Sequence, residues 1–304
     1  MDRIKDITLI FTLGTMLSVG IFSSFGLPVS DHKKQSASLL LATTLKEKQF
    51  YFENISLDAQ AAYVWDIKND KVLFEKNSTY QLPLASLNKI MTAVVALEGG
   101  KENIIIGSSD IKAFGDSGLK TKEVFKNTEI VKLMLTSSSN DAASAISSNY
   151  NEVAGSQNFI DLMNNKALEL GLTQTYYVNE SGLDLSKELS GGYGSAEDIA
   201  KLLYYSVKKY PEIFSATTQK TEELYSLEKK HVVKNTNPIV ETIPGILASK
   251  TGFTDMAQGN LAIVFNVGLN RLVAVIVLGS TQDGRFEDAQ KLISATIKTM
   301  GEDI

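Results

Sequence analysis

Across its 304 residues the chain has no cysteine, two histidines (His32 and His231), one tryptophan and five prolines. Without thiols there is no disulfide, no thiolate nucleophile, no cysteine-held zinc and no iron–sulfur cluster. Two imidazoles argue against any site built from several of them. Basic residues are not in excess either. Lys+Arg 30 against Asp+Glu 35 gives a net charge of −5, so no overall field draws the protein to a polyphosphate backbone, and nucleic acid is not an expected partner. Internal repeats and low-complexity tracts are also absent. Any chemistry must therefore run on hydroxyls, amines, carboxylates and backbone dipoles. What is present is ordinary globular composition, 43% hydrophobic and 21% charged, enough for one sizeable core.

The longest uncharged run is the 24 residues between Asp6 and Asp31. Its most apolar part, from Ile7 to about Phe25, is longer than a signal-peptide core of ~7–15 residues and near the ~20 that span a bilayer. Residues 1–28 are read as an export or anchoring signal, an uncleaved membrane anchor being favoured over cleavage near Ser24-Phe25-Gly26. Residues 29–54 read as a linker holding a solvated His32, and 55–304 as one folded domain. In that domain AAYVWDI and KVLFEK form a hairpin around Lys68-Asn69-Asp70, and apolar spacing from Ser86 predicts a helix through SLNKIMTAVVALE. EIVKLMLTS, DAASAISSNY, FIDLMNNKALELG and SAEDIAKLLYYSVKKYP follow as helices, the last opened by a Ser195–Asp198 capping pair. After Pro211, strands return at GILASK, GNLAIVFNV and RLVAVIVLG, before a last helix near EDAQKLISATIKTM. The expected fold is mixed α/β, with an antiparallel sheet assembled from both chain ends around a helical middle.

A serine three residues before a lysine on a helix puts hydroxyl and amine on one face, a pair able to transfer acyl groups without histidine. The lysine must be neutral to take the proton, which requires burial or neighbouring positive charge. S-x-x-K occurs six times, starting at Ser30, Ser86, Ser109, Ser117, Ser206 and Ser226. Only Ser86 with Lys89 opens a helix apolar enough to be buried; Lys112, Lys120, Lys209 and Lys229 lie in polar stretches. S-x-N recurs at Ser86, Ser138, Ser147 and Ser156, and Ser138-Ser139-Asn140 falls where one helix breaks and the next is capped. Lys250-Thr251-Gly252 occurs once, at the end of a β-type run. Alternation aims Lys250 and Gly252 to one side and Thr251 to the other. His231 lies in a basic β-type stretch with no partner carboxylate indicated, so a structural or solvated role is expected.

S-x-x-K, S-x-N and K-T-G in this order form the motif set of penicillin-recognising serine enzymes. The chain resembles the low-molecular-mass penicillin-binding proteins of the serine D-alanyl-D-alanine carboxypeptidase family. The resemblance runs from about Ala61 onward through YQLPLASLNKIMTAVVALE, LTSSSNDAASAI, YVNESGLD, YGSAEDIAKLL and NTNPIVETIPGILASKTGFTD. It implies the β-lactamase/transpeptidase-like fold and a peptidoglycan stem pentapeptide as substrate, with β-lactam antibiotics as covalent inhibitors and no metal or cofactor. It makes Ser86 the nucleophile and Lys89 its base. Ser138 becomes the proton relay to the leaving D-alanine, and Asn140 the group that binds the peptide carbonyl. Lys250 holds relay and substrate, Thr251 and Arg285 take the terminal carboxylate, and Gly252 lets the substrate backbone approach. The backbone N–H groups of Ser86 and Phe253 are the implied oxyanion donors. The implied location is the outer face of a bacterial cell membrane.

Three features depart from the family pattern. Asn88 stands where threonine is frequent, with altered packing near the amine expected. Asn179-Glu180-Ser181-Gly182 replaces Asn-Pro-x-Gly, so a differently shaped loop is expected. No β-rich C-terminal domain is expected. A β-lactamase would need a Glu-x-x-x-Asn loop between Asn140 and Lys250, and none occurs. An endopeptidase and a catalytically silent, membrane-tethered scaffold are the alternatives.

Overall fold

The computed structural model describes residues 51–111, 118–151, 158–268 and 270–301. The expected anchor, the linker through residue 50 with His32, and Ser30, Lys112, Ser117 and Ser156 lie outside the described residues. Among the described residues no helix is long and apolar enough to cross a membrane.

The first expected hairpin forms as β1 (Ala61–Asp66) and β2 (Lys71–Lys76), with Asp70 at φ 48° in the turn. Three long strands close the chain: β3 (Ile246–Thr254), β4 (Gln258–Asn266) and β5 (Leu272–Ser280). The antiparallel sheet runs β3-β4-β5-β1-β2, so the hairpin docks on the last strand, in a register from Ala61↔Leu278 to Asp66↔Val273. The first and last strands among the described residues thus build one sheet, and β3 forms one of its edges.

The strands are apolar on both faces, with period two deciding which core each side chain enters. Leu261, Ile263, Phe265, Val273, Val275 and Val277 meet Ala289, Leu292 and Ile293 of the closing helix α6 (Gly284–Gly301). Their neighbours Ala262, Val264, Ala274, Ile276 and Leu278 face the helical side. There α1 (Asn88–Glu98) is buried along Asn88–Ala96, as expected of a helix surrounded by others. Around it lie α2 (Asn127–Ser137), α3 (Asn140–Asn151), α4 (Phe159–Glu169) and α5 (Ala196–Lys209).

One local expectation, the Ser195 cap, holds, and another needs correction. Ser195 Oγ does accept the Asp198 N–H at 3.1 Å, but the Asp198 carboxylate does not reciprocate. It accepts instead from Gln174 N at 2.8 Å and Thr175 Oγ1 at 2.9 Å, where burial rewards a tertiary bond over a local one. Strands return earlier than expected, in a hairpin of Thr221–Tyr225 with Lys230–Lys234. At the described end of the expected linker, Phe52 stacks on Phe74 with centroids 5.7 Å apart.

Candidate active site

Four distant segments meet where α1 begins. Ala85–Leu87 form one 3-10 turn leading into α1 and carry Ser86. Ala85 has φ 49°, a left-handed conformation that costs energy for any residue with a Cβ and must be imposed by its surroundings. Gly182, at φ 83°, packs directly on it: a Cβ there would stand 1.8 Å from the Ala85 carbonyl oxygen. The 179–183 loop fits against the turn because Gly182 has no side chain. Asn179 folds that loop, accepting from Gly182 N at 2.6 Å and donating to the Leu183 carbonyl at 2.8 Å. Asn88 does not touch the amine at all. It ties α1 to the same loop, donating from Nδ2 to the Asn179 carbonyl at 3.0 Å and the Gly191 carbonyl at 2.8 Å.

Lys89 is fully buried, and its Nζ lies 2.6 Å from the Ser181 carbonyl oxygen, 2.8 Å from Asn140 Oδ1 and 3.0 Å from Ser86 Oγ. A neutral amine has two N–H donors and one lone pair. In that neutral form the two oxygens that cannot donate would take the two N–H groups, leaving the lone pair to the Ser86 hydroxyl. A protonated amine would turn all three donors outward and leave nothing to receive that proton. Burial brings the Lys89 pKa down from 10.5 to about 7, outweighing the upward pull of Glu180.

The helix break at 137–139 divides its tasks. Ser139 Oγ accepts from Ala142 N at 3.0 Å and caps α3. Ser138, left-handed at φ 60°, is thereby free to receive a hydrogen bond from Lys250 Nζ at 2.8 Å. Lys250 also donates to the Thr251 carbonyl at 2.8 Å. Alternation along β3 holds. A Cβ on Gly252 would lie 3.1 Å from the Ser86 amide nitrogen, whereas Thr251 Oγ1 turns to Thr236 Oγ1 at 2.6 Å. Arg285, near the start of α6, is buried behind the strand, with Nη1 donating to the Gly252 carbonyl at 2.7 Å and its guanidinium 4.6 Å from the Phe286 ring. Burial lowers the Lys250 pKa well below its ordinary value, and the charges of Lys89 and Arg285 add to this. Lys89, Lys250 and Arg285 thus lie within electrostatic reach of one another, a setting into which a substrate carboxylate would bring compensating charge.

Ser86, Lys89, Ser138, Asn140, Lys250 and Gly252 are brought together here, whereas the Thr251 hydroxyl turns to Thr236 on the other side of the strand. Sequence reasoning missed Ser181, Gly182 and Thr236. Ser181 acts through its backbone carbonyl, which no side-chain pattern reveals, while Gly182 sat in a segment noted only for its departure. His231 lies elsewhere: it is buried in the hairpin, Nε2 2.7 Å from Glu123 Oε1, its ring 5.1 Å from Phe125. The expectation of no partner carboxylate is corrected by Glu123, which is 108 positions away in the chain.

A family model described as D-alanyl-D-alanine carboxypeptidase, peptidase S11, matches residues 48–281. The D-alanyl-D-alanine carboxypeptidase DacF of Bacillus subtilis is 31% identical over 246 residues, covering 78% of this chain and 61% of that protein. This chain therefore spans about three fifths of that relative's length. A D-alanyl-D-alanine endopeptidase of Haemophilus influenzae is 32% identical, covering 73% of this chain and 76% of that protein. Penicillin-binding protein D2 of Listeria monocytogenes, solved in its ampicillin-bound form, superposes with a TM-score of 0.69 at 29% identity, covering 80% of this chain and 98% of that one.

Proposed function

Because this chain belongs to the D-alanyl-D-alanine carboxypeptidase family, peptidase S11, we propose that it removes the terminal D-alanine from peptidoglycan stem pentapeptides through an acyl-enzyme on Ser86. The observation that carries this reading is the fully buried Lys89 Nζ, 3.0 Å from Ser86 Oγ.

In the proposed reaction Ser86 Oγ attacks the carbonyl carbon of the penultimate D-alanine while its proton passes to Lys89 Nζ. The oxyanion is held by the N–H groups of Ser86 and Phe253, which the close approach of Gly252 to the turn supports. Asn140 offers Nδ2 to the substrate's peptide carbonyl, its Oδ1 being engaged by Lys89. As the C–N bond breaks, Ser138, hydrogen-bonded to Lys250, hands its hydroxyl proton to the departing amine and regains one from the Lys89 ammonium, which returns to its neutral form. Thr251, Lys250 and Arg285 receive the free carboxylate, with Arg285 also holding the Gly252 carbonyl. Water, deprotonated by Lys89, then releases the product and restores the serine. A β-lactam presents an amide and a carboxylate to the same groups and acylates Ser86. The substrate lies outside the cytoplasmic membrane, where residues 1–28 would anchor the domain.

The Haemophilus relative's activity favours a second reading, cleavage of a cross-link in place of a terminal residue. Both are tested by mass spectrometry of the full chain incubated with a D-Ala-D-Ala pentapeptide and, separately, with a cross-linked dimer. The carboxypeptidase reading expects tetrapeptide and free D-alanine, with a transient adduct mapping to Ser86. Turnover of the dimer alone supports the endopeptidase, and no adduct from either substrate overturns both.

A histidine-free mechanism makes a further prediction. His231→Ala is expected to leave the rate of labelling by a fluorescent penicillin within about twofold of the parent, since no site residue touches the ring. Stability falls by about 1–3 kcal/mol because Glu123 loses its buried partner. Thermal melts and labelling rates check both halves.

A further inference from the structure

The strand that carries Lys250–Phe253 is the edge of its sheet, so the β3–β4 ladder holds it from one side only. Directly after Phe253 the chain turns back toward β4, and beside this turn a cavity of about 580 Å³ opens, lined by Asp184, Ser186, Lys187, Asp255 and Met256. The turn is therefore not backed by core. Hydrogen bonds to a single carboxylate hold it: Thr254 Oγ1 donates to Asp184 Oδ1 at 3.0 Å and Met256 N to Asp184 Oδ2 at 3.1 Å. Thr254 Oγ1 in turn accepts from Ala257 N at 3.1 Å.

Asp184 comes two residues after Gly182, which presses on the Ala85 carbonyl, and three after Ser181, whose carbonyl binds Lys89. Thr254 follows Phe253. One carboxylate thus closes a ring of contacts that runs from the Ser86 turn through Gly182, Asp184, Thr254 and Phe253 to Gly252, and back to the Ser86 N–H.

We infer that Asp184 is a positioning residue that locks the Phe253 end of the edge strand to the Lys89 loop, so that both oxyanion donors are in register before a substrate arrives. The inference rests on the acyl-enzyme reading above. Such a residue acts on the transition state, where the oxyanion forms, and little on the initial complex.

Its test is the reaction of the full chain with a fluorescent penicillin, resolved into the dissociation constant of the non-covalent complex and the acylation rate constant. Asp184→Ala and Thr254→Val are each expected to lower the rate constant by about 10- to 100-fold, the scale of a sub-ångström to 1 Å misplacement, with the dissociation constant within about threefold. The double variant falls no further than the slower single one, because both changes open the same clamp. Thr254→Ser, which keeps the hydroxyl, stays within about twofold of the parent. Asp184→Asn, able to accept from Thr254 but presenting an NH₂ to the Met256 N–H, lies between.

Undiminished rate constants in Asp184→Ala or Thr254→Val overturn the inference, as do losses confined to the dissociation constant or additive losses in the double variant. Should Asp184→Ala not fold, the near-isosteric Thr254→Val and its serine counterpart decide alone. A parent protein that shows no label on Ser86 refutes the acyl-enzyme reading and the inference with it. Normal parental labelling with undiminished variants refutes the inference only.

Discussion

Lys89→Met is expected to slow acylation of Ser86 by a fluorescent penicillin by about 10²- to 10⁴-fold, the range ascribed to a positioned general base. Methionine fills the same tunnel without a charge, so the loss is chemical and not a folding defect. Lys89→Arg is expected to give no rescue, because a guanidinium stays protonated and has no lone pair to offer. The pH profile of the parent follows from the same group. Burial lowers the Lys89 pKa to about 7, and only the neutral amine accepts the serine proton. The acylation rate should therefore rise about tenfold per pH unit on the acid side and level off as pH passes through about 7. A profile flat from about pH 5 to about pH 9 would exclude Lys89 as the base.

Gly182→Ala is expected to be nearly as damaging while lying outside every catalytic motif. The new Cβ meets the Ala85 carbonyl oxygen at 1.8 Å and the Ala85 carbonyl carbon at 2.4 Å, both backbone atoms that cannot move without displacing Ser86. The residue is also at φ 83°, where a side chain adds strain of about 1–3 kcal/mol. The stability loss is expected at about 2–4 kcal/mol, and the acylation rate at about 10²-fold below the parent. Gly171→Ala provides the control. It has a similar φ of 69° but nothing within 4 Å, so it should cost about 1–2 kcal/mol and leave acylation unchanged. Equal melting temperatures and equal rates for the two variants would refute the wedge.

Much of the site's arrangement was legible from residue types. Ser86 and Lys89 are three apart on one chain, so helix geometry alone brings them together, and the apolar run after them announced the burial that neutralises the amine. The role of the break at Ser138-Ser139-Asn140 was half legible. A cap was foreseeable, but that Ser139 would serve as the cap, releasing Ser138 and Asn140 to the site, depends on how α2 and α3 pack. Alternation along β3 correctly separated Lys250 and Gly252 from Thr251. The Ser195–Asp198 cap was legible because it is local, with Ser195 Oγ accepting from Asp198 N, but the two partners that the Asp198 carboxylate takes on another segment were not.

Residue order alone settled which groups are available and which could act in pairs, because helix and strand periodicities are local and repeat every few residues. It also implied the sheet built from both chain ends, since the apolar runs that need mutual burial lie there. What surrounds the amine was set by long-range packing. The Ser181 carbonyl, the Gly182 wedge, the Asp184 clamp and the Glu123–His231 pair each join residues dozens of positions apart. Three of these four contacts involve the backbone of at least one partner or its missing side chain. Hydrogen-bonding backbone is the same at every position, so its role is set by where packing places it and leaves no mark in residue type.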